Sequence, residues 1–471
     1  MKSPRFGASN QPHSAAEGAE GGAFEQGILK KELNLFDAVM IVVGTIIGSG
    51  IFLIPNSIAA ELHSLPAVLL VWVLGGILTI FGALSLAELG SIYPGTGGLC
   101  SYLRHAYGPL TAFLYAWGLL FMIQSGSIAA LAVGFGLYMG QVLKLSLVGE
   151  KLVSVACILG LTFINCLGIR GGKMAQNCIA VAKAGGLVVI IVLAWVKGSR
   201  PIRILRAVLP ASGHALPLAR FGIALVAVLW AYEGWHVVSF VAGEMKRPTV
   251  DLPRALFVGS AVVMLVYLSA NIAYYHVLSP AAIQASSAVA SATVKALFGS
   301  VAAVSVSVLI LVSILGATNG MILSGPRVYY AMAREGIFPR PFGRIHERYR
   351  TPTVALIVQG TWASLLAVSG SYQQLFTDVI FTAWIFYGLA VAAVLVLRRT
   401  RPNLERPFHV PGYPWLPLLF CAAAIGVVSS TITERPGGAL LGIGLIAVGI
   451  PVYGLYGRAR QMEGPGDSVA R

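Results

Sequence analysis

The sequence predicts an all-α integral membrane protein with 12 transmembrane helices. Three observations carry that prediction. Of the 471 residues, 57% are hydrophobic and only 11% are charged, well below the charge of a soluble chain. No Asp, Glu, Lys or Arg lies between Asp37 and Glu61, between Arg104 and Lys144, or between Arg254 and Lys295. A crossing helix needs about 20 apolar residues. Inside lipid each backbone group must be bonded within its own segment, so these runs are helices. The alternating ten-residue strands of a barrel are absent.

The elements follow in order. Residues 1–30 are expected to form a disordered cytoplasmic tail rich in Gly, Ala, Ser and Glu. This tail lacks a positive region followed by an apolar one, so no cleavable signal peptide is expected and the first apolar segment acts as an uncleaved anchor. Spans 1 (35–60) and 2 (66–91) part at Pro66, and span 3 (109–142) opens on Pro109. Spans 4 (152–169), 5 (175–197) and 6 (218–244) come next, and Pro253 precedes span 7 (254–278). Pro280 separates span 7 from span 8 (296–334), and Pro352 opens span 9 (352–370). Span 10 (376–398) is followed by span 11 (414–432) at Pro414 and span 12 (438–457) after Pro436. A cytoplasmic tail is expected at 461–471.

Basic residues set the orientation. With the N-terminus inside, 23 of the 33 Lys and Arg fall on the cytoplasmic side and nine outside, with Lys183 in a span. Six of the 23 are Arg327, Arg334, Arg340, Arg344, Arg348 and Arg350, around the loop between spans 8 and 9. One loop disagrees, because Lys197, Arg200, Arg203, Arg206 and Arg220 fall outside. The expected location is the inner (plasma) membrane, multi-pass, with both termini cytoplasmic.

Several function classes are excluded. The net charge of +15 is spread between apolar spans, which argues against a nucleic-acid partner. Cys100, Cys157, Cys166, Cys178 and Cys421 show no metal or disulfide spacing and read as small core residues. No phosphate-binding Gly loop precedes a Lys-Ser/Thr pair, and no zinc spacing occurs. No cofactor, no metal and no enzymatic activity are expected, and no extramembrane stretch is long enough for a catalytic domain.

Two spans are interrupted. Span 1 reads Gly44-Thr45-Ile46-Ile47-Gly48-Ser49-Gly50. Its glycines cost a helix roughly 1 kcal/mol each relative to Ala. They suit either an unwound midpoint or close helix packing through small residues. An unwound midpoint offers N–H donors to a carboxylate and carbonyls to an ammonium, so one break could grip both ends of a zwitterion. Span 6 reads Trp230-Ala231-Tyr232-Glu233-Gly234-Trp235-His236, five spans later. Interrupted segments at matching positions of two halves mark the binding site of inverted-repeat transporters. The repeats would be residues 31–200 (spans 1–5) and 215–400 (spans 6–10), with 401–460 adding spans 11 and 12. Lys183 and Glu233 lie deep in spans, where such groups face a cavity or a partner, or form a helix-to-helix link.

At these residues the sequence resembles the amino acid–polyamine–organocation superfamily, and within it the L-type amino acid transporters and their bacterial relatives. The resemblance runs from about Glu32 to span 12. It rests on the Gly44–Phe52 motif, A-E-L-G-S-I-Y-P-G-T-G-G at 87–98 and I-A-V-A-K ending at Lys183. W-A-Y-E-G-W at 230–235 with E-M-K-R-P at 244–248, and the segment 316–339, complete it. The family implies a LeuT-type 5+5 inverted repeat plus two helices, with alternating access. By resemblance, the Ser49 and Gly50 amides would bind the substrate carboxylate. The Ile46, Trp230 and Glu233 carbonyls would bind the α-amine, with Gly48 and Gly234 completing the breaks. Trp230 would be the gate. Lys183 would tie span 5 to span 1, its ammonium standing where sodium-coupled relatives hold a sodium ion.

Departures from the pattern bear on specificity. Many L-type members have a small residue at the Glu233 position, so a carboxylate there points to acceptance of cationic substrates or to proton binding. His236 reads as a polar packing residue or a specificity contact. Glu88, Gly97 and Gly98 read as loop and cap residues, and Arg327 and Arg334 as basic anchors. Ser125, Asn319 and Trp384 are further pocket candidates. The loop near Leu145–Leu152 lacks the Cys that joins animal members to a heavy subunit, so no such subunit is expected and the chain is expected to work as a monomer. The expected function is secondary amino acid transport across the cytoplasmic membrane, by sodium-independent exchange or proton symport. A non-transporting amino acid sensor and a membrane enzyme are the alternatives.

Overall fold

The computed structural model describes residues 31–62, 64–95, 97–168, 172–200 and 218–462. The tail expected at 1–30 lies outside them, as do Arg203, Arg206 and residues 463–471. Most of the described residues are helical, with one isolated bridge between Leu33 and Met245 among them.

Helix α1 (Leu35–Ile46) opens on a capping box. The Asn34 side chain accepts from the Asp37 amide and Asp37 accepts from the Asn34 amide, each at 3.0 Å. Two otherwise orphaned first-turn donors are thereby satisfied. The helix stops where Ile47 turns to ψ 88, and α2 (Gly50–Leu53) and α3 (Pro55–Glu61) resume the crossing. Then come α4 (Leu65–Ile92), α5 (Leu99–Tyr107) and α6 (Pro109–Gly118). A π-helical turn, Leu119–Ile123, joins α6 to α7 (Gln124–Leu143). Helices α8 (Leu147–Cys166), α9 (Gly172–Lys197) and α10 (Leu218–Ala231) follow, and a 3-10 helix, Trp235–Glu244, completes the sixth crossing. The chain continues as α11 (Pro248–Val277), α12 (Pro280–Gln284), α13 (Val289–Phe298), α14 (Ser300–Arg334) and α15 (Thr353–Ser369). It ends with α16 (Tyr372–Thr400), α17 (Trp415–Glu434) and α18 (Pro436–Met462).

Among the described residues, eleven crossings are long and apolar enough to span a bilayer. The span expected at 352–370 is α15, of 17 residues. At 1.5 Å per residue it is about 26 Å long, the short end of what crosses a hydrocarbon core. Twelve predicted spans thus become eleven full-length ones and this shorter helix. Two boundaries differ for physical reasons. Pro253 does not separate elements, because α11 already begins at Pro248, a residue suited to the first helical position, with Asp251 in the first turn. The expected start of span 8 at 296 falls inside α13, which is parted from α14 by Gly299 at φ 82.

The crossings pack in two groups. Helices α1, α4, α10, α11 and the 3-10 segment contact one another, and α11 lies along α4. Helices α7, α8, α14 and α15 form the second group, with α16 against α7. Crossing lengths run in parallel through the two halves. The second and seventh are 28 and 30 residues, and the third and eighth are both 35. The interrupted first and sixth crossings meet between the groups.

Candidate functional site

The break in the first crossing leaves backbone groups unsatisfied in the protein interior. Among the described residues, the amides of Gly48 and Ser49 have no backbone or side-chain acceptor. Buried donors of this kind are costly unless a ligand or water takes them. The carbonyls at the end of α1 are partly spoken for. Lys183 Nζ, on α9, donates to Gly44 O, and Tyr267 Oη, on α11, lies 3.0 Å from Ile46 O.

The break in the sixth crossing mirrors it. Gly234 takes φ 106, which a residue with a side chain adopts only under strain. The chain thus turns out of α10 before the 3-10 helix starts. Tyr267 Oη also lies 3.1 Å from Ala231 O, so one hydroxyl spans both breaks. Thr45 Oγ1 reaches Gly234 O at 3.0 Å. The two breaks touch backbone to backbone, since a Cβ built on Gly50 would sit 2.6 Å from Ala231 Cα. The glycine of the motif therefore serves close packing at Gly50. Gly48 faces Leu131 and Ala317 of the second group of helices.

Trp230 ends α10 and is 5% exposed. Its ring stacks on Phe376 at 6.0 Å, and its Nε1 donates to Tyr372 Oη at 2.9 Å. Ser49 Oγ lies 2.8 Å from the same hydroxyl. Tyr372 and Phe376, both on α16, thus pin the indole over the break and connect it to the first crossing. A solvent-facing cleft of about 300 Å³ opens on the other side of Phe376, lined by Asn56, Glu61, Gln373 and Arg435.

Glu233 and His236 point toward α16. Tyr387 Oη lies 2.6 Å from Glu233 Oε1 and 3.0 Å from His236 Nδ1, and all three side chains are buried. With the imidazole proton on Nδ1, a chain of donors runs from His236 through Tyr387 to the carboxylate. The Glu233 backbone carbonyl has no hydrogen-bond partner among the described residues. Lys183 is 2% exposed and no carboxylate pairs with it among the described residues, so the ammonium is held by carbonyl oxygen.

The structure thus brings Ile46, Gly48, Ser49, Gly50, Trp230, Glu233, Gly234, Lys183 and His236 into one region. Three candidates are engaged elsewhere. Ser125 donates to Leu120 O, Asn319 accepts from Asn165, and Trp384 stacks on Phe420. Glu88 does more than cap a loop. It takes a bidentate pair from Arg398 at 2.9 and 2.6 Å and accepts from Val410 N at 2.7 Å. Sequence reasoning missed Tyr267, Tyr372 and Tyr387. Each is a phenol in an apolar crossing, where the hydroxyl must find a partner. Tyr372 was also placed outside span 10, which begins four residues earlier than expected. No metal cluster occurs among the described residues.

Comparison with known proteins gives consistent matches. A family model described as amino acid permease matches residues 33–450. The serine/threonine exchanger SteT of Bacillus subtilis (strain 168) is 35% identical over 436 residues, covering 92% of this chain and 98% of the relative. The b(0,+)-type amino acid transporter 1 of Mus musculus is 32% identical over 447 residues, 93% and 91% of the two chains. The large neutral amino acids transporter small subunit 2 of Rattus norvegicus is 32% identical over 470 residues, 96% and 85%.

Proposed function

Because the chain belongs to the amino acid permease family, we propose that the paired helix breaks are its substrate site and that it moves amino acids by sodium-independent exchange. Amino acid exchange or transport is what the relatives share in their names, from the serine/threonine exchanger to the b(0,+)-type transporter. They give no support to a sensor, and the family points to transport rather than catalysis.

The observation that carries the site is the facing pair of breaks. The Gly48 and Ser49 amides are free donors for a carboxylate. The Glu233 carbonyl and the second lone pairs of the Ile46 and Trp230 carbonyls are acceptors for an ammonium. Such preformed dipoles recognise a zwitterion without a dissolved ion. Trp230 is the gate, and the cleft beyond Phe376 is its outer approach. The matched crossing lengths support reading 31–200 and 215–400 as inverted repeats. The helix group around α1 and α10 would rock against the group around α7 and α14. Both termini lie in the cytoplasm in this reading, and the membrane is the plasma membrane. The rat relative is by name a small subunit, whereas this chain has no Cys at 145–152 and acts without a disulfide-linked partner.

The test is uptake of labelled amino acids into proteoliposomes of the purified chain. Vesicles preloaded with unlabelled amino acid are compared with empty ones, with and without an inward proton gradient. Uptake that needs internal amino acid and ignores sodium is the expected result. Uptake into empty vesicles driven by the proton gradient would replace exchange with symport. Glu233 provides the specificity reading: Glu233→Gln is expected to lower uptake of cationic relative to neutral amino acids. An unchanged ratio would confine Glu233 to its contacts with Tyr387 and His236.

A further inference from the structure

A groove lies away from the helix breaks, on the outer flank formed by α8 and α15 where they meet the loop between α14 and α15. It encloses about 460 Å³. Its walls include Leu159 and Phe163 of α8 and Ile357 of α15, all exposed where lipid chains would lie. Thr162 also lines it, with its hydroxyl turned away from the opening and packed against Gly360. Its rim carries His346 and Tyr349 from the loop. That loop is an ordered turn rather than a loose tether: His346 N donates to Thr351 O at 2.9 Å, and Arg350 N to His346 O at 2.8 Å. Arg348 lies over the Tyr349 ring, 5.5 Å from its centroid, which puts a guanidinium at the mouth of the groove. Between 344 and 350, three exposed arginines and His346 face a single carboxylate, Glu347.

We propose that this groove seats one anionic phospholipid of the adjoining leaflet, acyl chain against α8 and α15, phosphate at Arg348, Arg350 and His346. The general bias of arginine toward one membrane face explains why the loop is basic. It does not explain an apolar groove opening beneath the arginines. A phospholipid answers both features: chains for the walls and a phosphate for the guanidinium fork. An apolar helix from another protein would cover the walls and leave the arginines unmatched. The inference rests on the membrane placement of the chain and not on what it transports.

Native mass spectrometry of the full chain in detergent tests it, with dioleoyl phosphatidylglycerol titrated against dioleoyl phosphatidylcholine. One phosphatidylglycerol is expected to be retained at least fivefold more tightly than phosphatidylcholine. R348Q/R350Q should remove that preference, while R399Q/R401Q, the same charge change on exposed residues at the end of α16, should keep it. Ile357→Trp, which fills the groove, should weaken both lipids. Equal binding of the two lipids, equal losses in the two double variants, displacement by inorganic phosphate alone, or a second protein chain in place of lipid would each overturn the proposal. The readout does not involve transport, so failure of the exchange reading would leave it unchanged.

Discussion

Tyr372 concentrates more of the closed site in one atom than any other residue. Its hydroxyl accepts from the Trp230 indole and meets Ser49, so a single group on α16 holds the lid and the first break together. Each such bond is worth about 0.5–1.5 kcal/mol net, and leaving the buried indole N–H unpaired adds to the loss. Tyr372→Phe is therefore expected to raise the exchange KM roughly tenfold, since about 1.4 kcal/mol is one decade. Trp230→Ala should lose transport while the protein still inserts, whereas Tyr372→Phe should keep kcat within a fewfold. A KM unchanged in Tyr372→Phe would reduce the hydroxyl to packing. The residue scale is also where sequence reading was uneven. Lys183 and Glu233 stood out because a charge in an apolar run is conspicuous. Tyr267, Tyr372 and Tyr387 did not, because a phenol is apolar in composition and polar only at its tip.

At the scale of elements, the breaks were legible as glycine clusters, but their use was not. Spacing alone left unwinding and close packing as alternatives, and the structure contains both: Gly48 sits in the unwound turn while Gly50 packs on Ala231. Gly50→Ala would place a methyl 2.6 Å from backbone that cannot swing aside. Overpacking of that kind costs about 1–3 kcal/mol. Gly48→Ala meets the flexible end of Leu131 at 3.2 Å and is expected to be better tolerated. Melting temperatures of the two purified variants check the order, and a reversed order would mean that the contact between breaks yields more readily than its geometry implies. The shortness of α15 and the early start of α11 escaped the sequence because hydropathy marks the middle of a crossing and says little about its ends.

At the scale of the whole molecule, the proposed transport cycle needs closure at both ends. In that reading Trp230 and Tyr372 seal one approach. At the other, Arg327 of α14 lies 3.3 Å from Glu244 at the end of the 3-10 helix, which joins the two helix groups. Both side chains are partly exposed, so the pair contributes at most about 1 kcal/mol. That still shifts a two-state equilibrium about fivefold. Arg327→Gln is expected to raise thiol labelling of a Ser239→Cys reporter about that much, in a chain whose native cysteines are replaced by Ala. Unchanged labelling would show that apolar packing alone closes this end. The all-helical membrane organisation and the family were readable from sequence because they rest on composition and on five motifs in order. The pairing across the groups was not, because Arg327 and Glu244 are 83 positions apart and each reads alone as an ordinary basic or acidic residue at a membrane edge.

The ammonium of Lys183 is bonded to the chain it braces. A dissolved cation at the end of α1 would be recruited by mass action, and its occupancy would follow the salt content of whichever compartment it faced. A tethered cation has the same local concentration in every medium. The first break then keeps its shape in fresh water and in brine. In the exchange reading proposed above, no ion would enter the cell as a by-product of turnover, and a salt gradient would drive nothing. The direction at any moment would be set by the ratio of one amino acid to another on the two sides of the membrane, and it would reverse when that ratio did.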